Sequence, residues 1–217
     1  MEKVKILAIN TSPRDGRNTY HLMNAVLKGC ESVEDKEVEI ETINVSDAPE
    51  GEFKLCKGCW ACVKTGNCVL GEDFITEIYK KIDSADGVIF ASPVFFCDVS
   101  AQCKAIMDRS LGLIPLGKGK ASAAVITCGS VGANSALHTI QGFCNMHGFI
   151  DAGWVATYGK TRDKEVGKEV AYNLGRKTVQ IAAMTKKAKA EAEAEGNAEF
   201  IKDIEHNNHF AYGTHTF

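Results

Sequence analysis

The sequence predicts a doubly wound α/β domain in which five parallel strands, in the order 2-1-3-4-5, carry helices on both faces. Two observations predict it. Strand-like and helix-like periodicities alternate along the chain, and the interior run Val88–Ala91 is wholly apolar, as a strand buried on both faces must be. Right-handed crossovers between parallel strands then leave few topologies.

The elements follow in order. Val4–Ile9 is an apolar strand that stops at Asn10-Thr11-Ser12-Pro13. Residues 19–30 carry Leu22, Val26 and Cys30 at helical spacing. Val38, Ile40 and Thr42 alternate with Glu39 and Glu41, the pattern of a half-exposed edge strand. An irregular stretch, residues 46–70, comes next, and a loop of that length in a compact domain is usually functional. Ile75, Ile78, Tyr79 and Ile82 mark a helix. The strand Val88–Ala91 is expected to stop at Ser92-Pro93, and a helix is expected over 99–112. Ala121–Thr127 is a buried strand, 134–147 a helix, Trp154–Tyr158 the last strand and 163–195 a long helical region. Residues 1–195 therefore read as one domain and 196–217 as a C-terminal tail whose polar and aromatic residues fit no pattern.

Composition narrows the function classes. The 217 residues suit one domain, and 45% hydrophobic content is enough for a proper core. A net charge of −3 offers no basic field for nucleic acid. No apolar run approaches the ~20 residues that span a bilayer. The opening MEKVKILAIN reads as a strand and not as a secretory leader, so the expected location is cytoplasmic, with the nine cysteines kept as thiols.

Three loops leave the carboxyl edge of the predicted sheet, where such folds bind ligands. The first, Ser12-Pro13-Arg14-Asp15-Gly16-Arg17-Asn18-Thr19, offers free amides at a helix start, the hydroxyls of Ser12 and Thr19 and the charge of Arg14. That set suits a phosphate, although Asn18 or Thr19 would cap any helix well. It is neither a Walker loop nor a dinucleotide fingerprint. The second loop holds Pro93, Val94, Phe95 and Phe96, and the third holds Cys128, Gly129 and Ser130. A phosphate loop beside an apolar aromatic loop and a Gly-bearing loop describes a pocket for a flat ring with a phosphorylated tail. Phe95 and Phe96, taken singly, read equally well as core aromatics.

Cys56, Cys59, Cys62 and Cys68 form a C-x2-C-x2-C-x5-C run within one loop. Three cysteines spaced by two residues can wrap one cubane iron–sulfur cluster, and a fourth can close the shell. Structural zinc sites usually separate two knuckles or add distant histidines, so the compact run suits [4Fe–4S] better. A loop of free thiols that holds no metal is the other reading.

The S-P-R-x-x-x-N-T loop, Ser92-Pro93-Val94-Phe95-Phe96 and the Met107-Asp108-Arg109 helix resemble NAD(P)H-dependent FMN reductases of the flavodoxin-like superfamily. The cysteine run followed by Gly71-Glu72-Asp73 resembles their iron–sulfur flavoprotein branch. The resemblance covers roughly residues 4–180, one domain in size. It implies FMN and a [4Fe–4S] cluster, held by Ser12, Arg14, Asn18, Thr19 and Pro93–Phe96 on one side and by the four cysteines on the other. It further implies a homodimer or tetramer. The implied electron donor is ferredoxin-like or NAD(P)H, and the acceptor is dioxygen, peroxide or a small organic molecule. No catalytic residue stands out. Strand 2 lies at the sheet edge, so the cysteine loop after it is expected to be displaced outward, with Trp60 and Val63 exposed for a partner subunit to cover.

Overall fold

The computed structural model describes residues 1–160 and 165–206. Six strands are described: β1 (Glu2–Asn10), β2 (Lys36–Asn44), β3 (Gly87–Phe95), β4 (Asp98–Val99), β5 (Ala121–Cys128) and β6 (Ile150–Tyr158). The helices are α1 (Asn18–Glu31), α2 (Ala61–Thr65), α3 (Phe74–Ser84), α4 (Ala101–Arg109), α5 (Ala133–Met146), α6 (Glu165–Ala194) and α7 (Ala198–Ile204).

The parallel strands run in the order β2-β1-β3-β5-β6, the predicted topology. Neighbouring residues on each strand face opposite layers. Leu7, Ile9, Val88, Phe90 and Ile126 pack with α3, α4 and α5. Ile6, Ala8, Ile89, Ala91 and Val125 pack with α1 and α6. Two cores on one sheet are what makes the interior strands read as continuous apolar runs. β2 alternates half-buried and exposed residues along most of its length, as an edge strand should.

Three expectations are corrected. The sheet has a sixth strand, the short β4, which pairs antiparallel with the end of β3. β3 does not stop at Ser92-Pro93. It pairs with β1 only as far as Ala91 and with β5 as far as Pro93. The ladder with β1 has ended at Ala91, so a proline at 93 breaks no hydrogen bond to β1. β3 turns back through Phe96 (φ 48°) and Cys97 (φ 71°), both left-handed as a two-residue hairpin turn requires. The helix expected from residue 99 therefore starts at Ala101, with Ser100 as its cap accepting from the Cys103 amide at 3.2 Å. It stops at Arg109, and Leu111–Leu113 form a separate 3-10 turn.

The irregular stretch after β2 contains the short α2, so the cysteine run is loop–helix–loop rather than loop throughout. The tail begins with α7, and Lys189 of α6 pairs with Glu205 just beyond it. Residues 207–217, including the last two histidines, lie outside the described residues. No helix among the described residues is long and apolar enough to cross a membrane.

Candidate functional site

The three predicted loops meet at the carboxyl edge, and buried hydroxyls tie them together. Thr11 donates to the Ala91 carbonyl (2.9 Å), and Ser100 donates to the Thr11 carbonyl (2.8 Å). The Ser100 amide donates to Ser92 Oγ (3.1 Å). These bonds clamp the end of β1 to the β3–β4 hairpin before any ligand is considered. Thr11 and Ser100 carry no charge and belong to no motif, and Ser92 is marked in the sequence only as the start of the Ser92–Phe96 stretch, not as a clamp.

Within the first loop Ser12 is buried, and its hydroxyl closes a turn with the Arg14 backbone, accepting from the amide at 3.2 Å. Arg14 is exposed, and its guanidinium stands 5.7 Å from the centroid of the Phe95 ring. Asn18 donates to the Gly159 carbonyl (2.9 Å), which brings a fourth loop, after β6, into the cluster. Thr19 lies behind the loop, with its hydroxyl against Thr127 Oγ1 at 2.7 Å. Arg17 caps α1 without a side-chain hydrogen bond of its own to the first-turn amides.

Pro93 is buried and Val94 half-buried, while Phe95 and Phe96 are exposed. Neither phenylalanine is a core aromatic. Phe96 stands entirely clear of the surface at the hairpin tip, beside the exposed Cys97. In the third loop Cys128 is buried and donates its thiol to the Val131 carbonyl (2.8 Å), leaving Gly129 and Ser130 exposed. Gly132 then adopts φ 94°, and a Cβ there would lie 2.5 Å from the Cys97 Cα. Only glycine lets the second and third loops close on each other at that point.

The cysteines form a second centre. Cys56, Cys59, Cys62 and Cys68 all line one cavity of about 340 Å³, together with Trp60, Val69, Leu111 and Arg109. None of the residues of the three carboxyl-edge loops lines it. Trp60 (φ 59°) and Gly66 (φ 69°) are both left-handed and bracket the five-residue α2, which carries Cys62. α2 rests on the 3-10 turn after α4, so closely that a Cβ on Gly112 would lie 2.7 Å from the Cys62 Cβ. The sulfurs do not crowd a single point: among the described residues no group of three His, Cys, Asp or Glu is placed to hold one metal ion.

Arg109 anchors this centre and was not singled out by its own chemistry in the sequence. Its side chain is fully buried, paired with the fully buried Asp73 and donating to the Lys54 carbonyl at 3.1 Å. Burial works against the guanidinium charge, but Asp73 and then Cys68 more than offset that and raise its pKa. Among the described residues its Nε and Nη2 have no hydrogen-bond partner. Asp73 also caps α3, accepting from the Thr76 amide (3.1 Å) in a reciprocal capping box, so one carboxylate fixes both the helix and the arginine. Asp73 and Arg109 lie 36 residues apart, and in the sequence they stand only in the Gly71-Glu72-Asp73 and Met107-Asp108-Arg109 stretches that carry the family resemblance.

Four thiols on one cavity wall, with two orphaned donors beside them, fit a sulfur-rich cluster. A cube carries its thiolates on separate iron corners, so they need to surround one core but not to reach a single ion.

Residues 4–160 match the family model described as NADPH-dependent FMN reductase. An iron–sulfur flavoprotein of Methanocaldococcus jannaschii is 32% identical over 200 residues, spanning 85% of this chain and 100% of that protein. Among solved structures, RosB with bound 8-demethyl-8-formylriboflavin-5'-phosphate superposes with a TM-score of 0.68 at 18% identity, over 98% of this chain and 91% of that one. A flavodoxin, WrbA-like protein from Agrobacterium tumefaciens superposes with a TM-score of 0.54 at 16% identity, covering 85% and 99%. These two structures establish the flavodoxin-like fold.

Proposed function

The chain belongs to the NADPH-dependent FMN reductase family, in its iron–sulfur flavoprotein branch, and on that premise we propose an electron-transfer flavoenzyme with two separate centres. It is an FMN-dependent oxidoreductase. In our reading Cys56, Cys59, Cys62 and Cys68 hold a [4Fe–4S] cluster, and the loops at Ser12–Thr19, Pro93–Phe96 and Cys128–Ser130 hold FMN. The observation that carries the reading is the single cavity walled by all four thiols. When bound, the cluster exchanges single electrons and the flavin one or two, so the pair links the two modes.

The chain's own residues have distinct tasks in this reading. The first-turn amides of α1 and the Arg14 guanidinium receive the phosphate, while the Ser12 turn holds the loop in shape. Phe95 supplies an apolar wall. Asn18 and Thr19 brace the loop against Gly159 and Thr127 rather than reaching outward. The cysteine cavity shares no lining residue with the flavin loops, and Leu55, Trp60, Val63 and Val69 are exposed around it. Such a surface suits a homodimer or tetramer in which one subunit's cysteine loop faces its partner's flavin loops. The donor is ferredoxin-like or NAD(P)H, and the acceptor is dioxygen, peroxide or a small organic molecule.

A second reading, an NAD(P)H-dependent FMN or quinone reductase without a cluster, draws on the absence of a single-ion site among the described residues. Anaerobic stopped-flow reduction separates the two. With a reduced ferredoxin as donor, the broad absorbance of the cluster should bleach before or with the flavin band. Flavin reduction by NAD(P)H at the same rate in wild type and Cys62→Ser would support the second reading instead.

A further inference from the structure

We infer that Arg109 is a positioning residue for the cluster, one that turns its unpartnered Nε–H and Nη2–H edge onto the Cys68 side of the four-cysteine cavity and makes that centre easier to reduce. The inference rests on the cluster reading above and concerns a residue that reading does not use.

The argument starts from donor bookkeeping. A guanidinium has five N–H donors and no acceptor. Nη1 is committed to the Asp73 carboxylate and the Lys54 carbonyl. Nε and Nη2 are buried and form no hydrogen bond with the described residues. Leaving charged donors unsatisfied inside a protein is costly, and buried groups of this kind are nearly always paired in the finished molecule. Arg109 is among the residues lining the cavity walled by Cys56, Cys59, Cys62 and Cys68. It also lines the adjoining cavity behind them, together with Cys62 and Cys68. It therefore stands in the partition beside those two cysteines. The acceptors that such a site would offer are thiolate and sulfide sulfur.

The placement is built rather than incidental. Asp73 is fixed by the capping box of α3, Arg109 closes α4, and both side chains are fully buried. A flexible surface arginine would offer charge without direction; this one is held in a fixed plane by two bonds on its far edge. Four thiolates around an iron–sulfur core leave a net negative centre, and each added electron makes it more negative. Hydrogen bonds to sulfur and a nearby positive charge both favour the reduced form. Asp73 opposes that effect from behind the guanidinium, so the two partners should act on the potential with opposite signs.

The test is a potentiometric titration of the anaerobically purified holoprotein, followed by electron paramagnetic resonance, with iron and sulfide content measured alongside. Arg109→Gln should shift the cluster potential to more negative values. Asp73→Asn keeps an acceptor for the Thr76 amide, removes the opposing charge and should shift the potential the other way. Arg109→Lys, which keeps charge but loses the fork, should recover part of the loss. Arg109→Gln leaves the buried Asp73 carboxylate without its ion-pair partner, so Asp73→Asn/Arg109→Gln serves as a neutral control, expected between wild type and the single Arg109 variant. Opposite shifts from the two single variants support the proposal. Potentials that stay at the wild-type value in cluster-loaded variants, or that move in one direction for both, overturn it and leave the cluster reading intact. Wild-type protein without iron and sulfide overturns both.

Discussion

His147 supplies a pH dependence whose size can be worked out. It sits at the end of α5, buried, with Nδ1 accepting from the Leu116 amide at 3.1 Å and Nε2 against Ser110 Oγ at 2.8 Å. Ser110 donates in turn to the Met107 carbonyl (2.7 Å), so Nε2 carries the proton and the ring is neutral. Burial pushes its pKa down to about 4, and a second proton on Nδ1 would also break the Leu116 bond. Because the folded pKa lies below the unfolded value, the unfolded chain binds the proton first as pH falls. The stability contributed is present above the unfolded pKa, near 6.5, and is lost progressively towards pH 4. The gap corresponds to roughly 3 kcal/mol in full, of which roughly 2 kcal/mol disappears between pH 7 and pH 5. Anaerobic chemical denaturation of wild type and His147→Gln at the two pH values isolates this contribution, because every other titrating group is common to both proteins. Wild type should lose about 2 kcal/mol more than the variant between the two. Equal losses would show that His147 is protonated in the folded protein and that the Leu116–His147–Ser110 chain is misassigned.

Three further outcomes follow from the same geometry. Arg14→Ala should weaken FMN binding by about 1–3 kcal/mol and leave riboflavin binding nearly unchanged, as isothermal titration can measure; equal loss for both ligands would mean the loop does not read phosphate. Cys59→Ser or Cys62→Ser should abolish iron and sulfide while FMN remains, since the two centres share no lining residue. Gly112→Ala should push α2 off the turn after α4 and cut iron content while sparing FMN, because the added carbon meets the Cys62 Cβ and carbonyl at 2.7 Å.

Much of the fold is legible because burial writes directly into the sequence. Val88–Ala91 is apolar on every position, and Ile75, Ile78, Tyr79 and Ile82 fall on one helical face that is buried in full. The hairpin at β4 was hidden because Phe96 and Cys97 take left-handed conformations without the Gly or Asn that would announce them. α2 was hidden because five residues bracketed by Trp60 and Gly66 are too few for a period. At the site, the cysteine spacing and the phosphate loop announce themselves by residue type. The direction of each side chain does not: Thr19 reads as a phosphate donor in the sequence yet is turned inward to Thr127. Arg109 and Asp73 become partners only when α3 and α4 pack, and no local pattern encodes a contact across 36 residues.

The central claim is that one chain carries a flavin and a four-cysteine cluster at separate places. Quantifying FMN, iron and sulfide per chain in anaerobically purified protein tests it most directly. The account predicts one FMN with four iron and four sulfide per chain in wild type, and flavin alone once Cys62 is changed to serine. Wild-type protein with stoichiometric FMN and no iron or sulfide would contradict it.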